Sequence, residues 1–172
     1  MRILNPIAII SLLSLSCLYT QAQISEASEL YKVLKEKDSL LFHAAFNACD
    51  TGTMSVLFTE DFEFYHDKAG ATMCRKKFLD PMQKECESRA PNHPQPAKRI
   101  LIPESLEVYP LYKNGDLYGA IQQGVHRFEF LNDEGNYQKG DIARFIHLWI
   151  KTENEWKIKR ELSYDHQPSV TK

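Results

Sequence analysis

Two hydrophobic rhythms divide the chain, and the order in which they come predicts the fold class. Leu30, Val33, Leu34, Leu41, Ala44, Ala45 and Ala48 recur at helical spacing while Glu26, Lys32, Lys35 and Glu36 fall off the stripe. Ser25 or Ser28 therefore caps a long helix with one buried face. Asp50-Thr51-Gly52 ends it, and residues 53–58 have room for a short second helix. The period then drops to two. Phe62, Phe64 and His66 alternate with Glu63, Tyr65 and Asp67, a strand that turns at Lys68-Ala69-Gly70. Thr72 is the expected cap of a third helical stretch through Phe78, Leu79, Met82 and Cys86, which Pro81 should break, kink or restart. Residues 89–98, with Pro91, Pro94 and Pro96, read as a surface loop. Beyond it, residues 100–112, 117–131, 142–152 and 156–164 read as strands, the first pair joined by the hairpin signal Asn114-Gly115. Helices followed by an antiparallel meander predict an α+β domain with the helices on one face of a curved sheet.

In the last strand Trp156, Ile158, Arg160, Leu162, Tyr164 and His166 share one face, and Lys157, Lys159, Glu161, Ser163 and Asp165 share the other. The first face starts apolar and turns polar, which suits the wall of a binding pocket. The first 22 residues are different in kind. Arg2 precedes a mostly apolar run from Ile7 to Leu18, and Thr20-Gln21-Ala22 supplies small residues, so residues 1–22 read as a signal peptide cleaved between Ala22 and Gln23. Ser14-Leu15-Ser16-Cys17 is an alternative lipoprotein site. Secretion or a periplasmic location follows, with no integral membrane segment once the leader is removed, because the apolar run is too short to span a bilayer. Residues 23–172 are expected to form a single domain.

Composition adds mainly exclusions. The whole chain has 172 residues and a formal net charge of -2, and the part after the leader is close to neutral as well. Without a clustered surplus of Lys and Arg there is no electrostatic basis for nucleic-acid binding. Cys49, Cys74 and Cys86 follow the leader and allow at most one intrachain disulfide, leaving at least one free thiol. Their spacing makes neither a CxxC redox motif nor a zinc motif, and the histidines lack HxH, HxxxH and HExxH spacings. No metal is expected. No cofactor is expected either, since Gly-rich phosphate loops, GxSxG and dinucleotide fingerprints are missing from the sequence.

The long helix, Asp50 ahead of a short helix, the segment from Leu57 to Gly70, and the endings from Phe145 to Trp149 and from Trp156 to His166 resemble the NTF2-like superfamily. Within it the chain is most similar to SnoaL-like, DUF4440-type domains of bacterial secreted proteins. The resemblance covers residues 25–168 and implies a cone: helices packed on a strongly curved antiparallel sheet that encloses one cavity, with dimers formed through the sheet. It also implies a range of functions, from ketosteroid isomerases, epoxide hydrolases and dehydratases to non-catalytic binding domains. The histidine that recurs at the end of the family's first strand, followed by glycine, is matched by His66 and Gly70.

The candidate residues are polar groups on apolar strand faces. His66 is a general base or hydrogen-bond donor, or a structural residue that bonds the turn after it. His126 shares a face with Tyr118, Gln122, Phe128 and Phe130, and Tyr164 can donate to a ligand oxygen; these three are the candidate catalytic set. Tyr65, Arg160, His166 and His147 are candidate ligand contacts. Arg160 either holds a carboxylate or pairs with Asp61 or Glu63. Alternation sends the neighbours Asp165 and His166 to opposite faces, so they do not form a dyad. The expected function is binding of a small, largely apolar ligand. The alternatives are a cofactor-free isomerase, dehydratase or hydrolase, and a dimerisation or interaction module.

Overall fold

A computed structural model describes residues 23–90, 93–153 and 155–168. The leader, its cleavage site and Cys17 lie outside the described residues. Helix α1, Glu29–His43, starts where the Ser28 hydroxyl accepts the Tyr31 N–H at 3.3 Å. Its buried positions Tyr31, Leu34, Asp38 and Leu41 follow a 3-4-3 spacing and press one stripe onto the sheet. The helix passes into a π-helical segment, Ala44–Ala48, and stops at Cys49 in the left-handed region. The Asp50 carboxylate then caps α2, Thr51–Leu57, accepting the Thr53 N–H at 2.9 Å and its hydroxyl at 2.6 Å.

Three local expectations change. Strand β1 covers Phe58–His66, and the chain after its turn pairs back as β2, Gly70–Met73, so the third helix starts after Cys74 rather than at Thr72. That helix, α3, Arg75–Ser88, runs through Pro81 unbroken. Pro81 and Lys77 lie on its exposed face, so the Lys77 carbonyl that loses its N–H donor is left to water. The single run expected over 100–112 is two strands, β3 Ala97–Leu101 and β4 Glu107–Lys113, with a 3₁₀ turn Pro103–Ser105 between them. Proline has no N–H for the ladder and sits at the break.

The remaining strands are long: β5 Asp116–Leu131, β6 Tyr137–Lys151 and β7 Trp156–Pro168. Asn114 and Gly115 have φ of 54° and 90°, the two positive values a type I′ hairpin needs, and they set Lys113 opposite Asp116. The sheet order is β2-β1-β7-β6-β5-β3, with β4 also on β5. The expected antiparallel sheet is in fact mixed, because β1 pairs parallel with β7, placing Tyr65 opposite Leu162 and His66 opposite Ser163. A strand reached through helices can close the edge beside the last strand in either direction, a pairing that alternation does not encode. Helix α1 covers the inner face, where Gln122 Nε2 donates to the Leu34 carbonyl at 3.2 Å.

Strand β7 departs most from its simple alternation. Its register against β6 slips once between Ile158 and Arg160 and again between Tyr164 and Gln167, where Asp165 has φ 59°. Each bulge adds a residue and flips the faces. Ile158, Glu161, Ser163 and His166 thus turn toward the core, while Arg160 and Tyr164 turn away. A disulfide joins Cys49 to Cys86 with Cα atoms 5.9 Å apart, tying the end of the π-helical segment to α3, and Cys74 is free. Among the described residues no helix is long and apolar enough to cross a membrane.

Candidate functional site

The helices and the concave sheet leave a cavity of about 350 Å³. Its wall is aromatic: Phe42 and Phe46 come from α1 and the segment after it, Phe58 and Phe64 from β1, Phe78 from α3, and Phe128 and Phe130 from β5. Into this wall the sheet sets five polar side chains, His66, His126, Glu161, Ser163 and His166, and Lys68 and Asp141 form a 2.7 Å ion pair at the rim. A larger depression of about 520 Å³ lies among surface loops around Glu85, Arg89, Asn132 and Asp133 and lacks an aromatic wall. A concave, open-mouthed apolar space with a few converging polar groups is the geometry of a small-molecule site.

His66 meets both of its expected descriptions at once. Its Nδ1 accepts the backbone N–H groups of Lys68 at 3.1 Å and Ala69 at 3.2 Å, holding the turn, and its ring borders the cavity. Burial, then the adjacent His166 charge, lowers its pKa and keeps it neutral, with the proton on Nε2. His166 stacks on it, centroids 4.2 Å and planes 18° apart. The parallel pairing of β1 and β7 makes this contact. His166 Nδ1 lies 2.6 Å from Asp67 Oδ1, and its backbone N–H donates to Asp67 Oδ2 at 3.0 Å. That backbone bond is the leading cause that lowers the Asp67 pKa. On the other edge of the ring, Nε2 is 3.3 Å from Ser163 Oγ.

His126 lies deeper and is almost fully buried. Arg99 Nε donates to its Nδ1 at 3.1 Å, so the neutral ring carries its proton on Nε2, which has no partner. Burial first, and the Arg99 charge second, push its pKa to about 2, which rules out an acid–base role near neutrality. Arg99 is in turn held by Asp38 through bonds of 2.8 and 3.2 Å and lies over the Phe42 ring. This buried pair was not anticipated from sequence, although Asp38 interrupts an apolar stripe between Leu34 and Leu41.

The other candidates are placed elsewhere. His147 is packed in the core beside Phe145 and Trp149, its Nδ1 3.2 Å from Gln122 Oε1. It does not border the cavity; its Nε2 lies 3.6 Å from Glu161 Oε1, which does. Arg160 does not contact the cavity but pairs with Glu63, Nε to Oε2 2.5 Å, the ion-pair alternative. Tyr65 donates to the same carboxylate at 2.6 Å, a bond that raises its pKa. Tyr65 and Tyr164 border a depression of about 380 Å³ on the outer side of the sheet, because the first β7 bulge turned Tyr164 away. Asp67, Glu161 and Ser163 replace them, and sequence reasoning missed all three. The first β7 bulge hid Glu161 and Ser163, and Asp67 meets His166 across 99 residues.

Among the described residues, His66, Asp67 and His166 bring three potential metal-ligand atoms within 4.8 Å of one another. Their lone pairs are already engaged: two amides occupy His66 Nδ1, and Asp67 accepts from His166. A metal would have to displace those bonds. Two stacked imidazoles, of which His166 faces the Asp67 carboxylate on one edge and the Ser163 hydroxyl on the other, instead suit hydrogen bonding and proton transfer.

A curved mixed sheet wrapped by N-terminal helices around one end-on cavity is the NTF2-like cone. No protein-family model matches the sequence, and no curated protein matches it. Solved structures show the likeness. An NTF2-like superfamily protein from Salmonella enterica superposes with a TM-score of 0.59 and 14% identity, covering 82% of this chain and 92% of that one. An NTF2-like protein of unknown function from Pseudomonas putida gives 0.60 and 11%, over 82% and 95%. The CaMKII association domain of C. elegans gives 0.59 and 12%, over 81% and 98%. At such identities the likeness establishes the fold, and the chemistry rests on this chain's own residues.

Proposed function

We propose that this is a secreted or periplasmic NTF2-like domain, of the SnoaL-like or DUF4440 kind, that binds a small, largely apolar ligand in its cone. The observation that carries the reading is an aromatic cavity of about 350 Å³ into whose wall His66, His126, Glu161, Ser163 and His166 are set. The Glu161 carboxylate on the same wall disfavours an anionic ligand. The leader-like first 22 residues and the Cys49–Cys86 disulfide support an oxidising compartment.

The test uses the neutral fluorophore N-phenyl-1-naphthylamine with the purified protein, alongside native mass spectrometry of protein taken from its own compartment. The fluorophore is expected to bind at one site with enhanced emission, and Ala45→Phe, which fills the cavity, is expected to abolish binding. A protein that binds no fluorophore and retains no small molecule would sink the reading.

A homodimer through the sheet is supported by a separate observation. Ile121 lies opposite Leu148 and Ile146 opposite Leu162, giving a partly exposed aliphatic strip on the face away from the helices. Such a strip is what a sheet-to-sheet contact buries.

A further inference from the structure

The feature left over from ligand binding is the group on β7 and the β1 turn. Ser163 Oγ, His166 and Asp67 stand in line, with 3.3 Å from Oγ to Nε2 and 2.6 Å from Nδ1 to the carboxylate. A carboxylate only accepts, so Nδ1 carries the proton and Nε2 presents its lone pair to the Ser163 hydroxyl. The Asp67 carboxylate is fixed twice, by the imidazole and by the His166 backbone N–H. The left-handed Asp165 turns His166 into the cavity; without that bulge it would face the other way from Ser163. Nucleophile, base and orienting acid are thus present at one cavity wall, a constellation recognised by geometry and roles rather than by chain order.

We propose that Ser163, His166 and Asp67 form a nucleophilic triad and that the cavity hydrolyses small, uncharged, largely apolar carboxylic esters. The proposal rests on the cavity being the binding site for an apolar ligand. His166 Nε2 takes the hydroxyl proton as Ser163 Oγ bonds to the ester carbon. The carbonyl π electrons move to oxygen, where the Nε2–H of His66 donates to the developing charge. Collapse breaks the bond to the alkoxide, which leaves with the proton from His166, and an acyl-Ser163 remains. Water, deprotonated by His166, then attacks the acyl carbon, Ser163 recovers its proton and the acid departs. The aromatic wall holds the acyl or alkoxy chain, and Glu161 discourages charged ones.

The probes are p-nitrophenyl butyrate and diisopropyl fluorophosphate on the intact protein. Saturable turnover is expected, with a burst of p-nitrophenolate that marks the acyl intermediate and with phosphorylation mapped to Ser163 by mass spectrometry. Ser163→Ala and His166→Gln should each lower kcat roughly 10³-fold or more while still binding the naphthylamine fluorophore. Asp67 acts through His166 as a positioning residue. Asp67→Asn should lower kcat about 10²- to 10⁴-fold at an unchanged KM, and Asp67→Glu should restore part of it. Ser163→Ala that binds the fluorophore and still turns over the ester at the parent rate overturns the triad. So does a wild-type protein that binds the fluorophore yet is neither active nor labelled, or one whose turnover disappears on dialysis against EDTA. If Ser163→Ala fails to fold, labelling of the wild type at Ser163 decides alone. Failure to bind the fluorophore at all would instead remove the cavity reading beneath it.

Discussion

His126 shows how one buried side chain ties the whole fold to pH. Its pKa falls from 6.5 to about 2, chiefly through burial, while the same imidazole in the unfolded chain titrates near 6.5. Below pH 6.5 the unfolded chain therefore binds a proton that the folded one refuses. The stability from this site is complete above pH 6.5 and is lost as pH falls, until the folded ring itself titrates near pH 2. The loss is about 1.4 kcal/mol per pH unit, and His66, also lowered, adds in the same direction just below 6.5. Urea denaturation at pH 7 and pH 4.5 should show His126→Gln losing about 3 kcal/mol less than the parent over that interval. Equal losses would count against a neutral buried imidazole. At this scale the sequence was partly readable. Strand alternation pointed to His66, His126 and His166, but the partners that decide their chemistry, Arg99 and Asp67, come from distant parts of the chain.

Elements were readable wherever a local rule decided them, as at the Ser28 cap and the Asn114-Gly115 turn, whereas the second helix starts at Thr51 on an Asp50 cap, inside the Asp50-Thr51-Gly52 stop expected of the first. They were not where tertiary context overrode the rule. Pro81 breaks nothing because its orphaned carbonyl partner faces water, and Thr72 lies in a strand because β1 offers it an edge. The β7 bulges matter more, since the first exchanged Tyr164 for Ser163 as the cavity-facing group and the second returned His166 to the same side. The Cys49–Cys86 bridge is another contact between elements, one that cysteine spacing alone left open. It closes a separation of 37 residues, which loop-closure entropy values at about 4 kcal/mol. Cys86→Ser should lower the unfolding free energy by roughly 2–4 kcal/mol in guanidinium titrations, and dithiothreitol should bring the parent down to match it. A variant as stable as the oxidised parent would mean that the bridge constrains a denatured chain that is already compact.

At the scale of the molecule, one sheet has to serve two faces, and its curvature separates their tasks. The order of helices before strands was enough to predict the α+β class. The parallel closure of β1 on β7, which creates the His66–His166 contact, joins segments about a hundred residues apart and left no trace in periodicity. On the concave side those strands present the cavity. On the convex side β5, β6 and β7 carry Ile121, Ile146, Leu148 and Leu162, whose alternation partners Gln122, His147 and Glu161 point inward. Because strand side chains alternate strictly between bulges, a charge can be placed on the convex face without touching the cavity. The double variant Ile146→Lys, Leu148→Lys should therefore run as a monomer in size-exclusion chromatography with light scattering, where the parent is expected to run as a dimer at tens of micromolar. It should keep full fluorophore binding. A parent that is monomeric at that concentration would remove the dimer. Loss of fluorophore binding together with the dimer would mean that pairing across the sheet sets the curvature of the cone and with it the cavity.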